Sequence, residues 1–160
     1  MACCLIAAFL SDIFDGILAR SFGVETPFLR RLDSIADSIF YLCALAATWL
    51  IHPEFIVKHR VILSILLGLE LIRYAFDYWK FGREASYHMW SSKLWGITLF
   101  LGVFAVLVLH IEGLFLIIAI LVGIVADIEG LLISVILTSW QHNVPTIVHA
   151  LKIRTGENVT

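Results

Sequence analysis

Charge is what this sequence has least of. Only 15% of its 160 residues are Asp, Glu, Lys or Arg, whereas a soluble domain carries about 25%. A chain of this length cannot hide a 61% hydrophobic composition behind so thin a polar surface. The excess apolar area has to meet something other than water, and a lipid bilayer is the simplest partner. A basic tract is missing as well, and the net charge of -2 gives no bias toward polyanions, so nucleic acid is excluded as a partner. Cysteine is scarce. Cys3, Cys4 and Cys43 sit inside apolar runs without metal-ligand spacing, and they read as small buried hydrophobes, not as disulfide or zinc partners. The opening MACCLIAAFLSD lacks a positive n-region and a cleavage site, so it is not read as a signal peptide. Internal repeats and linkers are absent too. The chain reads as a single transmembrane domain over 1–153 with a disordered tail over 154–160.

The apolar runs that remain are too long and continuous for barrel strands. Helices are the other way to satisfy a backbone in hydrocarbon, and about 20 residues suffice to cross it. The expected fold is all-α, a polytopic membrane helix bundle with five spans: 1–22, 33–52, 59–80, 91–110 and 112–127. Pro53 ends the second span, and HIEG separates the fourth from the fifth. After Asp127 the pattern loosens. The stretch with Trp140, Pro145, Lys152 and Arg154 reads as a C-terminal interfacial segment or short amphipathic helix, with one long or broken helix over 113–137 as the other reading.

Loops at 20–33 and 80–93 share a side with the C-terminus. That side holds Arg20, Arg30, Arg31, Lys80, Arg83, Lys93, Lys152 and Arg154, against Lys58 and Arg60 on the other. The positive-inside rule then places the first group in the cytoplasm, with the cell (inner) membrane as the expected location.

Against this background, four acids stand out. Asp12 and Asp15 are three apart at the end of the first span, and Asp33 and Asp37 are four apart at the start of the second. Each spacing places a pair on one helix face. Carboxylates converging in a low dielectric repel one another, and hard cations that favour oxygen ligands, Mg²⁺ or Mn²⁺, relieve that repulsion. Acids inside a membrane point to function. The plainer alternative is a set of interfacial charges paired with Arg20, Arg30 and Arg31. A cation path through the membrane is a further alternative, but it has no need of the small residues Gly16 and Ala19 beside the acids. These two would admit a bulky ligand to the backbone or pack a neighbouring helix.

DIFDGILAR, eight residues, then LRRLDSIAD resembles the signature of the CDP-alcohol phosphatidyltransferases, D-x2-D-G-x2-A-R-x8-G-x3-D-x3-D. Asp12, Asp15, Gly16, Ala19, Arg20, Asp33 and Asp37 stand at motif positions, and Leu29 replaces the second glycine. The resemblance implies metal-dependent transfer of a phosphatidyl or related group from a CDP-linked donor such as CDP-diacylglycerol to an alcohol, releasing CMP. It implies a two-metal centre of Mg²⁺ or Mn²⁺ on Asp12, Asp15 and Asp33, with Asp37 as the base and a further metal contact. Asp12, Gly16, Ala19, Arg20 and Leu29 would surround the donor nucleotide. Leu29 narrows that space, so a catalytically weakened or inactive homologue is the second expectation. Family members usually carry one more span before the motif. A six-helix bundle lacking its first helix is therefore expected here, with a homodimer, common in the family, to cover the open flank.

A second polar stripe, Glu70, Arg73, Asp77 and Lys80, follows i, i+3, i+7 and i+10 in the third span. It is either a self-neutralising ladder or the wall of an acceptor pocket. In the second case Arg73, Lys80, Arg83 and Lys93 would bind an alcohol, including a phosphorylated one. Tyr87, Trp90 and Trp95 read as an interfacial aromatic belt, and the acidic pair Asp127 and Glu129 has no partner that spacing identifies.

Overall fold

The computed structural model describes residues 3, 5–7, 10, 11, 14, 27–111 and 113–156, with side chains from residue 39 onward and at those early positions. The expected first span, 1–22, and residues 157–160 of the expected tail therefore lie largely or wholly outside the described residues. The rest is helical, as the all-α reading requires: α1 Pro27–Ile51, α2 Pro53–Lys58, α3 Arg60–Phe81, α4 Trp90–Leu107, α5 Leu114–Ile136 and α6 Ile147–Thr155. No strand forms among the described residues, only an isolated bridge between Ser86 and His142.

Prolines and glycines set the boundaries. Pro27 and Pro53 open α1 and α2, at the first helical position where a missing N–H costs nothing. The residue before a proline is pushed out of the helical region, so α1 stops at Ile51, one residue short of His52. Gly82 ends α3 in the left-handed region at φ 68°, its N–H donating to Tyr78 O, and Gly156 ends α6 in the same way at φ 73°. Thr146 caps the start of α6, its hydroxyl accepting from the His149 N–H. Arg154 and Thr155 complete this helix, so they are not part of an irregular tail.

Among the described residues two helices, α4 and α5, are long and apolar enough to cross a membrane, and Ile39–Ile51 within α1 is a shorter apolar run. α3 has the length but carries five charged residues, Arg60, Glu70, Arg73, Asp77 and Lys80. The fifth helix corrects the expected 112–127, because it runs without a break to Ile136. Only its continuation, residues 137–155, forms the separate C-terminal segment. The acids Asp127 and Glu129 do not end the helix, since Asp127 is buried and partnered. The cysteine expectation is corrected as well: Cys3 and Cys43 are free and exposed. A small apolar side chain facing lipid has no need of burial.

The described chain forms two compact units, residues 1–58 with 103–113, and residues 59–102 with 114–160. In the first, α2 packs on α1 and buries Phe55 and Ile56. In the second, α3 and α5 are the main packed pair and run parallel: Arg73 meets Asp127, Asp77 meets Ser134, and Lys80 meets Ser134 and Val135. α4 runs against them, with Trp95 beside Gly123 and Gly102 beside Leu116. Up, down, up is the alternation of consecutive spans. α3 is also inside out by the standards of a soluble helix. Leu66 and Asp77 are buried on its inner face, while Val61, Ile65, Ile72 and Trp79 are exposed on the other, Trp79 to 80%. Polar inside and apolar outside is what hydrocarbon solvent demands.

Gly123 is where the three helices converge. A Cβ there would lie 2.6 Å from Trp95 Nε1 and 2.8 Å from Leu66 Cδ1, so a bare backbone is what admits the indole between α3 and α5, as small residues do in membrane bundles. Gly68 on α3 has nothing within 4 Å of the same added atom. Gly123→Ala is therefore expected to destabilise the protein by about 1–3 kcal/mol through overpacking, whereas Gly68→Ala should be neutral or gain up to about 1 kcal/mol from helix propensity. Thermal unfolding in detergent micelles of the two variants checks the opposite signs.

Candidate functional site

The aspartate motif falls mostly outside the described residues: Asp12, Asp15, Gly16, Ala19 and Arg20 all lie there. Leu29, Asp33 and Asp37 do not. All three belong to α1, because that helix begins at Pro27 instead of the expected 33. They stand four residues apart along one continuous helix, i, i+4 and i+8, so the leucine at the motif's glycine position lies one turn ahead of Asp33. Helical backbone accommodates leucine without strain. The substitution is therefore compatible with the helical path of the chain. Among the described residues no group of three or more His, Cys, Asp or Glu side chains is assembled. As a donor set, four carboxylates offer oxygen alone, which suits a hard divalent cation.

The second polar stripe is a set of bonds between helices. Arg73 Nε lies 3.4 Å from Asp127 Oδ1 on α5, and its guanidinium is 5.6 Å from the Tyr74 ring centroid. One turn on, Ser134 Oγ donates to Asp77 Oδ1 at 2.5 Å, and with that hydrogen committed the Tyr87 hydroxyl donates to Ser134 Oγ at 2.8 Å. Lys80 Nζ donates to the carbonyls of Ser134 and Val135 at 2.8 and 3.0 Å. These carbonyls belong to the last turn of α5, which has no intrahelical donors left and carries the negative end of the helix dipole. Lys80 is thus a side-chain cap on a neighbouring helix.

The other two basic candidates are placed differently. Arg83 and Lys93 are exposed, Arg83 with its guanidinium 4.9 Å from the Trp140 ring centroid and Lys93 with its ammonium 4.5 Å from that of Trp90. Tyr87, expected in the aromatic belt, is only 4% exposed and belongs to the core. Trp90 at 66% exposure fits the belt, and Trp95 lies inward against Gly123.

Sequence reasoning missed Ser134 and left Asp127 without a partner. The signal for Asp127 was present: a carboxylate inside an apolar helix requires a cation, and Arg73 is the basic residue farthest from the ends of an expected span. For Ser134 no such signal exists, since serine is common in membrane helices.

Asp127 is 2% exposed, and its Oδ2 has no hydrogen-bond partner among the described residues. Removing Arg73 would leave this carboxylate buried and uncompensated, which costs about 3–5 kcal/mol, whereas removing both partners together is close to neutral. Arg73→Met should therefore unfold at a markedly lower temperature than wild type, and the double variant Arg73→Met, Asp127→Leu should recover most of the loss. A double-mutant cycle by thermal unfolding measures this coupling. Tyr87 offers a second check. Burial, the largest cause, pushes its phenol above the ordinary 10.0, and the charge of Asp77 raises it further. A raised folded value makes the phenol's contribution complete below the unfolded value, and that contribution is lost as pH climbs through the folded one. Titration by phenolate absorbance should show that Tyr87→Phe removes one tyrosine from the late-ionising fraction, at a cost of about 1 kcal/mol for the lost hydrogen bond.

The family model for CDP-alcohol phosphatidyltransferase matches residues 1–125 of the 160. The match takes in the aspartate motif and α1 to α4, and stops just short of Asp127. No curated protein and no solved structure matches the chain. With most of its length covered and its apolar helices turned outward, the chain belongs to the CDP-alcohol phosphatidyltransferase family and is an integral membrane protein.

Proposed function

We propose that the protein transfers a phosphatidyl or related substituted phosphate group from a CDP-linked lipid, CDP-diacylglycerol or a close relative, to an alcohol in phospholipid biosynthesis. The acceptor oxygen forms the new bond to phosphorus, the bond from phosphorus to CMP breaks, and the acceptor's proton leaves to a base. One observation carries this reading: a family match that contains all four aspartates, two of them a turn apart on α1. Asp12, Asp15, Asp33 and Asp37 would hold Mg²⁺ or Mn²⁺, which when bound neutralises phosphoryl oxygens and favours departure of CMP. Asp37 accepts the hydroxyl proton. Gly16 and Ala19 leave room for the cytidine nucleotide, and Arg20 orients carboxylates or donor phosphates.

Energetics divide the basic acceptor candidates. Arg73 and Lys80 reach a ligand only by leaving bonds that hold α3 to α5, and releasing Arg73 strands Asp127. Arg83 and Lys93 are exposed, and each stacks on an exposed or half-buried tryptophan, a contact worth about 0.5–1 kcal/mol that a ligand phosphate can outbid. They are the better acceptor contacts, and they suit a phosphorylated alcohol. The orientation follows the basic loops, which places this end in the cytoplasm.

Leu29 motivates a second reading, a homologue with weakened turnover, because leucine stands on α1 one turn before Asp33 where the motif has glycine. Incubation of purified protein with CDP-diacylglycerol, Mg²⁺ and a panel of alcohols separates the two. The first reading expects CMP release that chelation abolishes and that Asp37→Asn lowers by about 10²–10⁴-fold while leaving donor binding largely intact. The second expects slow release that Leu29→Gly accelerates. Absence of CMP with every alcohol, in wild type and in Leu29→Gly alike, removes both.

A further inference from the structure

Where α3 and α5 finish and α4 begins, two segments pack together, and of their residues the proposed chemistry uses Arg83 alone. Residues 83–90 and 140–147 are clamped together by backbone bonds, Asn143 N–H to Ser86 O at 3.0 Å and Trp90 N–H to Pro145 O at 3.3 Å, and by Trp140 Nε1 donating to Glu84 O at 3.0 Å. Beneath α6 lies a core of Tyr87, Met89, Ile133, Leu137, Val144 and Ala150, with Ile147 and Ile153 packed against it. This fixes the roll of α6. Its inner face is Ala150 and Ile153, and its outer face is Val148, Leu151, Lys152 and Thr155, at i, i+3, i+4 and i+7, with Arg154 on the flank.

That outer face is exposed and of mixed character. Val148 is 60% and Leu151 47% exposed, beside the exposed cations Lys152 and Arg154. Two aliphatic side chains are far too few for a stable protein interface, which needs roughly 800 Å² per partner. An apolar pair flanked by Lys and Arg instead suits the headgroup level of a bilayer, where the stems lie along apolar surface and the cations meet anionic lipid. The charges around it agree. Arg83, Lys93, Lys152 and Arg154 are exposed at this end, Arg83 and Lys93 with their tryptophans, while the described acids beside them are Glu84 and, two turns down α5, Glu129.

We propose that the outer face of α6 is an anchor for anionic phospholipid headgroups of the membrane that α4 and α5 cross. Val148 and Leu151 insert at the level of the upper acyl chains, and Lys152 and Arg154 take the phosphates. The anchor rests on the membrane reading of the helices and not on the transfer reaction, so either can fail alone.

Hydrogen exchange on the full chain tests it, in nanodiscs of phosphatidylcholine and in nanodiscs of equal parts phosphatidylcholine and phosphatidylglycerol. A basic side chain near an anionic surface contributes roughly a fivefold preference, so the amides of 149–155 should exchange on the order of tenfold more slowly in the anionic discs. Molar salt should erase the difference, as should the double variant Lys152→Gln, Arg154→Gln. Exchange along α5 from Gly123 to Ile133 reports whether that variant is still folded, and if it is not, the salt result on wild type decides. Equal rates in the two lipids overturn the proposal, as does a difference that survives molar salt.

Discussion

A charged side chain in hydrocarbon has no water to fall back on, and the second unit of this protein is organised around that constraint. Arg73 and Asp127 meet as an ion pair between α3 and α5. Burying two ions is costly, and their attraction offsets the cost only where the geometry is maintained, so the pair fixes which faces of α3 and α5 meet. The two contacts above it follow from that register. Asp77 finds Ser134 and Lys80 finds the end of α5, because in parallel helices one matched pair brings the following turns into step.

The rest of the packing is subordinate to this seam. The apolar residues of α3 are free to face lipid because the polar ones have been drawn inward. α4 then fits against the pair only where Gly123 leaves space for Trp95. Beyond the helix ends the same network reaches the loop, since Tyr87 donates to Ser134 and sits in the core that holds α6. Seam, loop and C-terminal helix are one connected structure, and a defect at Ser134 would be felt in all three.

This changes how the basic residues of the chain should be ranked. Four cations looked alike as ligands for a phosphorylated acceptor. Two of them stabilise the bundle, and their positive charge is largely spent on Asp127 and on carbonyls at a helix end. The remaining two are exposed, each beside a tryptophan. A phosphate has more to gain from cations whose current contacts are weak and solvated than from cations whose release would unfold the site around it.

By itself the sequence determined that this is a helical membrane protein, and the spacing of its aspartates was enough to indicate a family. Both are properties of composition and local order: apolar runs of span length need no tertiary information, and a motif is read along the chain. Boundaries marked by Pro53 and the HIEG turn were legible for the same reason. Tertiary structure alone decided that α5 continues through its acids to Ile136, that Leu29 lies within a helix, and that Arg73, Asp77 and Lys80 serve α5. Each of these depends on a partner 50 or more residues away in sequence or on where a helix starts. No local pattern encodes which of several polar groups a buried charge will meet. That choice is made only when two helices come into register and the low dielectric between them penalises every alternative pairing.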